Sequence, residues 1–128
     1  GKLLLGVCGG YQMLGQALKA GIKAMGLELR VKEEIQLPQI TIVSVPEGAN
    51  DLKVRQQLLD EFGIEIGGGL GAQKGQVWRV GLMGHSCQLK NVLAFLTALE
   101  YVLRSQGVAV RHGEAVTAAM DAVAKFNA

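Results

Sequence analysis

EFGIEIGGGLGAQKGQVWRVGLMG, residues 61–84, contains two strand-like stretches separated by a run rich in glycine. Residues 64–66 form the first stretch, and residues 77–82, with their β-branched and aromatic side chains, form the second. The run GGGLG between them looks like a phosphate-binding loop, but such loops lead into a helix and this one leads into a strand. The pattern therefore predicts two strands joined by a flexible, glycine-rich connection.

Apolar periodicity predicts the elements on either side of these strands. The whole predicted order is strand 2–7, helix 11–25, strand 27–31, strand 40–45, helix 51–62, strands 64–66 and 77–82, helix 89–105 and helix 113–126. Asn50 or Asp51 is suited to cap helix 51–62. One face of that helix is predicted to contain Leu52, Arg55, Leu58, Leu59 and Phe62. This order predicts a single α+β domain, 1–128, in which helices pack on a mixed sheet as an α/β sandwich.

The composition favours a folded domain over a nucleic-acid-binding or membrane-spanning protein. Hydrophobic residues make up 49% of the 128 residues and charged residues 19%, which is typical of a folded domain with its own core. The net charge of +2 is too small to indicate a nucleic-acid surface. No apolar run approaches the roughly 18 residues of a membrane span, and two cysteines are too few for a disulfide framework. The chain begins at Gly1 without methionine, so we expect an excised or engineered fragment that is cytoplasmic or recombinant.

The segments LPQITIVSVPEGAN, EFGIEIGGGLG and VWRVGLMG carry a resemblance. From about Gln16 to Gly107 the sequence resembles the C-terminal small domain of class V alanine–glyoxylate (serine–pyruvate) aminotransferases. The resemblance implies a small-domain fold with an added N-terminal strand–helix unit. It also implies that Arg79 matches the residue that binds the α-carboxylate of the substrate, a task suited to the guanidinium fork and vestigial in a chain without the large domain. The alternative is an edge-strand arginine in a surface ion pair.

The same resemblance bears on the cofactor. Enzymes of this family use pyridoxal phosphate, which requires a Schiff-base lysine, a carboxylate partner for the ring nitrogen and a phosphate cup. The resemblance assigns these groups to a large domain that is not part of this sequence. No lysine here lies in a matching motif, so we expect that this chain binds no cofactor and no metal.

The stretch GVCGGYQMLG, residues 6–15, resembles the cysteine elbow of the glutamine amidotransferase domain of cobyric acid synthase. The resemblance implies that Cys8 is a nucleophile and that the N–H groups of Gly9 and Gly10 lie near the oxyanion. His112 and Glu114 match the His-x-Glu pair of the wider superfamily. The alternatives are a small buried cysteine and a Glu114 that complements a helix dipole.

These resemblances leave three interpretations. The favoured one is a non-catalytic folded domain, a chimera or fragment with residues 1–15 joined to an aminotransferase segment and a helical tail at 108–128. The alternatives are the small-domain part of an aminotransferase and a thiol amidotransferase. The apolar strand 2–7 and the apolar stripe of the tail also predict a homo-oligomer, most simply a dimer, with neither nucleic acid nor membrane as partner.

Overall fold

The computed structural model describes residues 2–30, 40–81 and 88–128, with side chains described from Gln12 onward. Within these residues the elements are α1 (Lys2–Ala24), β1 (Ile40–Ser44), α2 (Asp51–Phe62), β2 (Gly67–Gly68), β3 (Val77–Gly81), α3 (Leu89–Ser105) and α4 (Ala115–Asn127). A single 3-10 turn, Gly71–Gln73, lies between β2 and β3. The predicted α+β class is therefore confirmed. None of the helices described is both long and apolar enough to cross a membrane.

The sheet has β3 at its centre, in the order β1-β3-β2. Both described pairings are antiparallel, with Ile42 opposite Arg79 and Gly68 opposite Trp78, where the sequence predicted a mixed sheet. Residues 64–66 do not form the predicted strand, and the partner of β3 is the pair of glycines that follows them. The predicted strand at 27–31 is reduced to one bridge between Leu29 and Val43, and position 31 lies outside the described residues.

The core lies between one face of this sheet and the helices. Side chains alternate along each strand, so Val43 of β1 and Trp78 and Val80 of β3 are directed into the core. Among the described side chains, helix α3 supplies the largest share, with Val92, Phe95, Leu96, Ala98, Leu99, Val102 and Leu103 all buried. A Cβ at Gly21 would collide with the side chain of Leu96, so this glycine lets α1 and α3 approach closely. By alternation Arg79 faces away from the helices.

Residues 2–7 are helical and not a strand, which corrects the predicted N-terminal strand–helix unit. They form the first turns of α1, which continues without interruption through Gly9 and Gly10. A short apolar run does not distinguish a buried strand from a buried helix, and leucine is a strong helix former. Each glycine costs about 1 kcal/mol in a helix. Packing of α1 along α4, its most extensive helix contact, offsets that cost.

Helix α2 lies where the sequence predicts a helix, and of the residues predicted to share a face only Leu58 is buried. Val54 and Leu58 are buried, whereas Leu52 is 68% exposed and Phe62 is 42% exposed. The side-chain oxygen of Asn50 accepts a hydrogen bond from the Lys53 N–H at 3.0 Å, which confirms one of the two predicted caps. The apolar contact between α2 and the core is therefore limited to Val54 and Leu58.

Helix α4 confirms the predicted helical tail. Ala115 and Ala119 are buried, and Val116, Met120 and Phe126 are between 36% and 40% exposed. Because residues 2–7 are helical, the argument for self-association through an edge strand no longer applies. The apolar stripe on α4 remains, so the dimer stays a prediction that light scattering checks.

Candidate functional site

Arg79 lies at the middle of β3 and is held against the neighbouring strand. Its Nε donates a hydrogen bond to the carbonyl oxygen of Gly68 at 2.9 Å. A Cβ at Gly67 would lie 3.3 Å from a terminal nitrogen of Arg79, so the guanidinium packs directly over β2. Among the described residues no partner bonds the two terminal nitrogens. The Arg79 side chain is partly exposed.

The guanidinium of Arg55 lies on the opposite side of β2. A Cβ at Gly68 would be 3.0 Å from the central carbon of the Arg55 guanidinium. Arg55 in turn donates to Asp51 from Nε at 2.9 Å and from a terminal nitrogen at 3.1 Å. The Trp78 indole N–H donates to the same Asp51 at 2.8 Å. We call Asp51, Arg55 and Trp78 the tryptophan cluster.

The tryptophan cluster pairs the negative charge of Asp51 with the positive charge of Arg55. The hydrogen bonds from Arg55 to Asp51 raise the pKa of the guanidinium above its ordinary value, and partial burial opposes them only in part. The Asp51 side chain is 11% exposed and that of Arg55 30% exposed. Trp78 is almost completely buried, so its N–H has no access to water and depends on Asp51.

The glycine run is not the flexible connection that the sequence predicted. Gly67 and Gly68 form β2, and each leaves room for a guanidinium. A Cβ at Gly69 would collide with the backbone carbonyl of Gln73, because the 3-10 turn folds back over this residue. Close packing, and not looseness, explains why these three positions are glycine.

Cys8, Gly9 and Gly10 lie inside α1, several residues after its start. The N–H groups of Gly9 and Gly10 are therefore at positions where a helix uses them for its own hydrogen bonds, and Cys8 is beyond the first turn where the dipole acts. The predicted strand-to-helix elbow is absent. The Cys8 side chain is not among those described, so its reactivity stays untested.

His112 and Glu114 lie in the connection before α4, and both are exposed. His112 Nδ1 is 2.9 Å from a carboxylate oxygen of Glu100 and 2.8 Å from a terminal nitrogen of Arg104. One nitrogen cannot both donate to Glu100 and accept from Arg104, so the tautomer decides which bond forms. Glu100 also accepts from the Gly113 N–H at 3.0 Å. Glu100, Arg104 and His112, here the histidine cluster, thus tie the connection to α3.

Glu114 occupies the cap position of α4 and makes no side-chain capping bond. Its position beside the first turn agrees with the dipole interpretation.

A cleft of about 460 Å³ lies between β3 and the N-terminal half of α3. Its walls include Leu18, Phe62, Ile66, Val80 and Phe95, so it is mostly apolar. In the part of the chain that the structure describes, no group of three or more histidine, cysteine or acidic residues is placed to hold a metal ion.

The described residues do not fit pyridoxal phosphate. A Schiff-base lysine must lie in a pocket beside the cofactor. Every lysine side chain that the structure describes is exposed: Lys19, Lys23, Lys53, Lys74, Lys90 and Lys125. The candidate site is Arg79, whose guanidinium packs on one side of β2 while that of Arg55 packs on the other.

Proteins of similar sequence are aminotransferases. The (S)-ureidoglycine–glyoxylate transaminase of Bacillus subtilis (strain 168) is 45% identical over 105 residues, which cover 82% of this chain and 25% of that protein. The alanine–glyoxylate aminotransferase of Mus musculus is 43% identical over 84 residues, which cover 65% of this chain and 20% of that protein. No protein-family model matches the chain.

The solved structures with a similar fold are also aminotransferases. The crystal structure of the Bacillus subtilis ureidoglycine–glyoxylate aminotransferase matches with a TM-score of 0.83 and 42% identity, covering 88% of this chain and 29% of that one. Pyridoxamine–pyruvate aminotransferase from Mesorhizobium loti matches with a TM-score of 0.82 and 30% identity, covering 93% of this chain and 30% of that one.

The fold and the sequence together define a domain of the aminotransferase type. More particularly, the chain belongs with the C-terminal small domains of class V aminotransferases, of the alanine–glyoxylate kind. It spans about a quarter of the length of the curated relatives it matches.

These comparisons give no support to an amidotransferase segment or a chimera. A match that covers 93% of the chain includes more than residues 16–107 and must reach into 108–128. The tail therefore follows the aminotransferase fold. Of the three interpretations, the small-domain part of an aminotransferase is the one favoured.

Sequence reasoning identified Arg79 but missed its supports. The sequence predicts Asp51 as a possible helix cap and places Arg55 on a face shared with apolar residues, with no link to Arg79. Their spacing of four residues on a predicted helix is the signal that indicates an ion pair. Glu100 and Arg104 have the same spacing and were missed in the same way.

Proposed function

We propose that this chain acts as the small domain of a pyridoxal-phosphate-dependent transaminase that takes glyoxylate as amino-group acceptor. Relatives with 45% and 43% identity carry glyoxylate in their names, which supports this choice of substrate. The observation that carries the proposal is the placement of Arg79. Its Nε is committed to Gly68, and its two terminal nitrogens face away from the helices without a partner among the described residues.

Arg79 binds the substrate carboxylate in this proposal. Two parallel N–H···O bonds from one guanidinium fix both the position and the plane of a carboxylate. Because arginine stays protonated at every physiological pH, the anchor keeps its charge throughout turnover. The bond from Nε to Gly68 fixes the side chain before substrate arrives, which reduces the entropy lost on binding.

The cofactor belongs to another part of the assembled enzyme. Pyridoxal phosphate supplies an electron sink for carbanion chemistry when it is bound. The lysine side chains that the structure describes are all exposed and are not suited to hold it. In this proposal the chain therefore contributes substrate binding and a large domain contributes the cofactor site.

The test is complementation. This chain is co-expressed with the large domain of the Bacillus subtilis transaminase, and the complex is assayed for conversion of glyoxylate to glycine with (S)-ureidoglycine as the amino donor. We expect activity that depends on pyridoxal phosphate. Replacing Arg79→Gln should raise KM for glyoxylate about 100-fold, the usual cost of losing hydrogen bonds to a charged group.

The matched control is Arg111→Gln, which removes the same charge from an exposed side chain in the connection before α4. We expect it to leave KM unchanged. The positive control is the large domain paired with its own small domain. If that pair is active and the pair containing this chain binds but is inactive, the proposed function is wrong.

A further inference from the structure

We propose that Asp51 and Arg55 are positioning residues for Arg79, and that they act through the backbone of β2. The inference deepens the proposed function and rests on it for the identity of the ligand. It concerns residues on α2 that bind no substrate themselves.

In the first step, three hydrogen bonds hold the Asp51 carboxylate in place. Its carboxylate accepts from the Trp78 indole at 2.8 Å and from Arg55 at 2.9 and 3.1 Å. The indole belongs to a buried side chain in the core, so Asp51 cannot move without leaving a buried donor unpaired. The two bonds from Arg55 involve both carboxylate oxygens, which sets the plane of the guanidinium as well as its position.

The second step is the contact between Arg55 and β2. A Cβ at Gly68 would lie 3.0 Å from both the central carbon and a terminal nitrogen of Arg55. The guanidinium is therefore packed against the backbone of this residue. A strand of only two residues has few ladder bonds of its own, so this contact sets how closely Gly68 approaches α2.

The third step is the contact between β2 and Arg79. The carbonyl oxygen of Gly68 accepts the Arg79 Nε–H at 2.9 Å. Gly67, the preceding residue, presents its Cα hydrogen to the same guanidinium, because a Cβ there would lie 3.3 Å from a terminal nitrogen. Neighbouring residues of a strand face opposite sides, so β2 is held between Arg55 on one side and Arg79 on the other.

Arg55 therefore determines where the carbonyl of Gly68 lies, and that carbonyl determines the direction of the Arg79 side chain. Displacing Arg55 should loosen the Nε bond of Arg79 without touching Arg79 itself. A purely structural Arg55 would instead change stability and leave the Nε bond as it is.

The experiment follows the Nε–H proton of Arg79 by NMR in the ¹⁵N-labelled full chain. The signal is assigned by its loss in Arg79→Lys, and its exchange with water is compared with that of Arg111. We expect the Arg79 proton to exchange more slowly in the native sequence. In Arg55→Lys, which keeps the charge but loses the planar fork, we expect its exchange to become about tenfold faster.

Asp51→Asn provides a second variant, and we expect the same acceleration at Arg79. The matched control is Asp60→Asn, which alters an exposed acid on the same helix that bonds Gln56 at 2.9 Å. It should leave the Arg79 proton unchanged. If both Arg55→Lys and Asp51→Asn keep the native backbone spectrum and the Arg79 exchange rate, the proposal is overturned. Should Asp51→Asn unfold the chain, Arg55→Lys alone decides the matter.

The complemented enzyme gives the functional readout. There Arg55→Lys should raise KM for glyoxylate several-fold and leave kcat near its native value, since the carboxylate anchor is misdirected but present. An unchanged KM in an active assembly overturns the positioning role. Because the exchange rates are measured on this chain alone, absence of transaminase activity counts against the proposed function and not against this inference.

Discussion

The tryptophan cluster and the histidine cluster are built from the same kinds of group. Each combines an acid, an arginine four residues later on the same helix, and a ring nitrogen from another part of the chain. In the tryptophan cluster the acid bonds both partners, with Trp78 1% exposed. In the histidine cluster both charged groups approach a ring whose side chain is 68% exposed.

Burial of the ring nitrogen distinguishes the two clusters. Water replaces any bond that His112 loses, so its contacts contribute little to stability. No water reaches the indole N–H of Trp78, so losing its acceptor leaves the full desolvation penalty. Acid and arginine have the same spacing in both clusters. In the tryptophan cluster the pair holds β2, whereas in the histidine cluster it only links the connection before α4 to α3.

The largest effect is expected for Asp51→Ala. It leaves the Trp78 donor unpaired in the core and removes the partner of Arg55, so we expect the free energy of unfolding to fall by about 2–4 kcal/mol. Urea denaturation measures this. Asp60→Ala on the same helix is the control and should cost no more than about 0.5 kcal/mol.

A double-mutant cycle sharpens this result. In a Trp78→Phe background no indole donor is left unpaired, so the cost of Asp51→Ala should be smaller by about 1 kcal/mol. Equal costs in the two backgrounds would mean that the indole bond does not stabilise the domain.

Arg55→Gln should have the next largest effect, about 1 kcal/mol, since the guanidinium is partly exposed. The pKa of Arg55 is raised in the folded protein, so its contribution is fully present below the ordinary arginine pKa and declines only as pH rises through the raised value. The loss measured by denaturation should therefore be the same at about pH 6 and about pH 9. A loss that changes between these pH values would point to another titrating group.

For Arg79→Ala we expect a smaller loss, no more than about 1 kcal/mol, because the side chain is partly exposed and makes one bond to a backbone carbonyl. Thermal unfolding of the purified chain measures it. A loss of several kcal/mol would identify Arg79 as a structural residue and weaken its assignment to substrate binding.

The smallest effect is expected for His112→Ala, within about 0.5 kcal/mol, because the ring is mostly exposed. The matched comparison is Glu100→Ala, which should cost more, since Glu100 also accepts the Gly113 N–H. If His112→Ala costs as much as Asp51→Ala, the contrast between the two clusters does not hold.

Sequence reasoning found the elements whose signals are local. Helices α2, α3 and α4 have apolar residues at helical spacing, and β1 and β3 are rich in β-branched residues. It misassigned residues 2–7 because an apolar run such as LLL suits a buried strand and a buried helix equally well. The structure places these residues in α1.

The site could be predicted only in part, because some of its residues carry a local signal and others depend on contacts between distant parts of the chain. Arg79 lies in a specific motif, VWRVG, so resemblance was enough to assign it a role. The importance of Asp51 depends on Trp78, which is distant in sequence and reaches the carboxylate only in the folded domain. The glycines of β2 were interpreted as loose for the same reason, since the two guanidiniums that pack against them come from other elements.

The segment 28–30, which pairs with β1, has a consequence for how this domain behaves at high concentration. The N–H of Arg30 donates to the Ile42 carbonyl at 2.9 Å, and the N–H of Ser44 donates to the Glu28 carbonyl at 2.8 Å. That segment therefore occupies the outer edge of β1. At the opposite edge β2 offers only two residues. Sheets recruit further chains, and begin amyloid growth, through long unpaired edges. This sheet is protected at one side and very short at the other, so fibril formation should require prior unfolding and should track the fraction of unfolded chain.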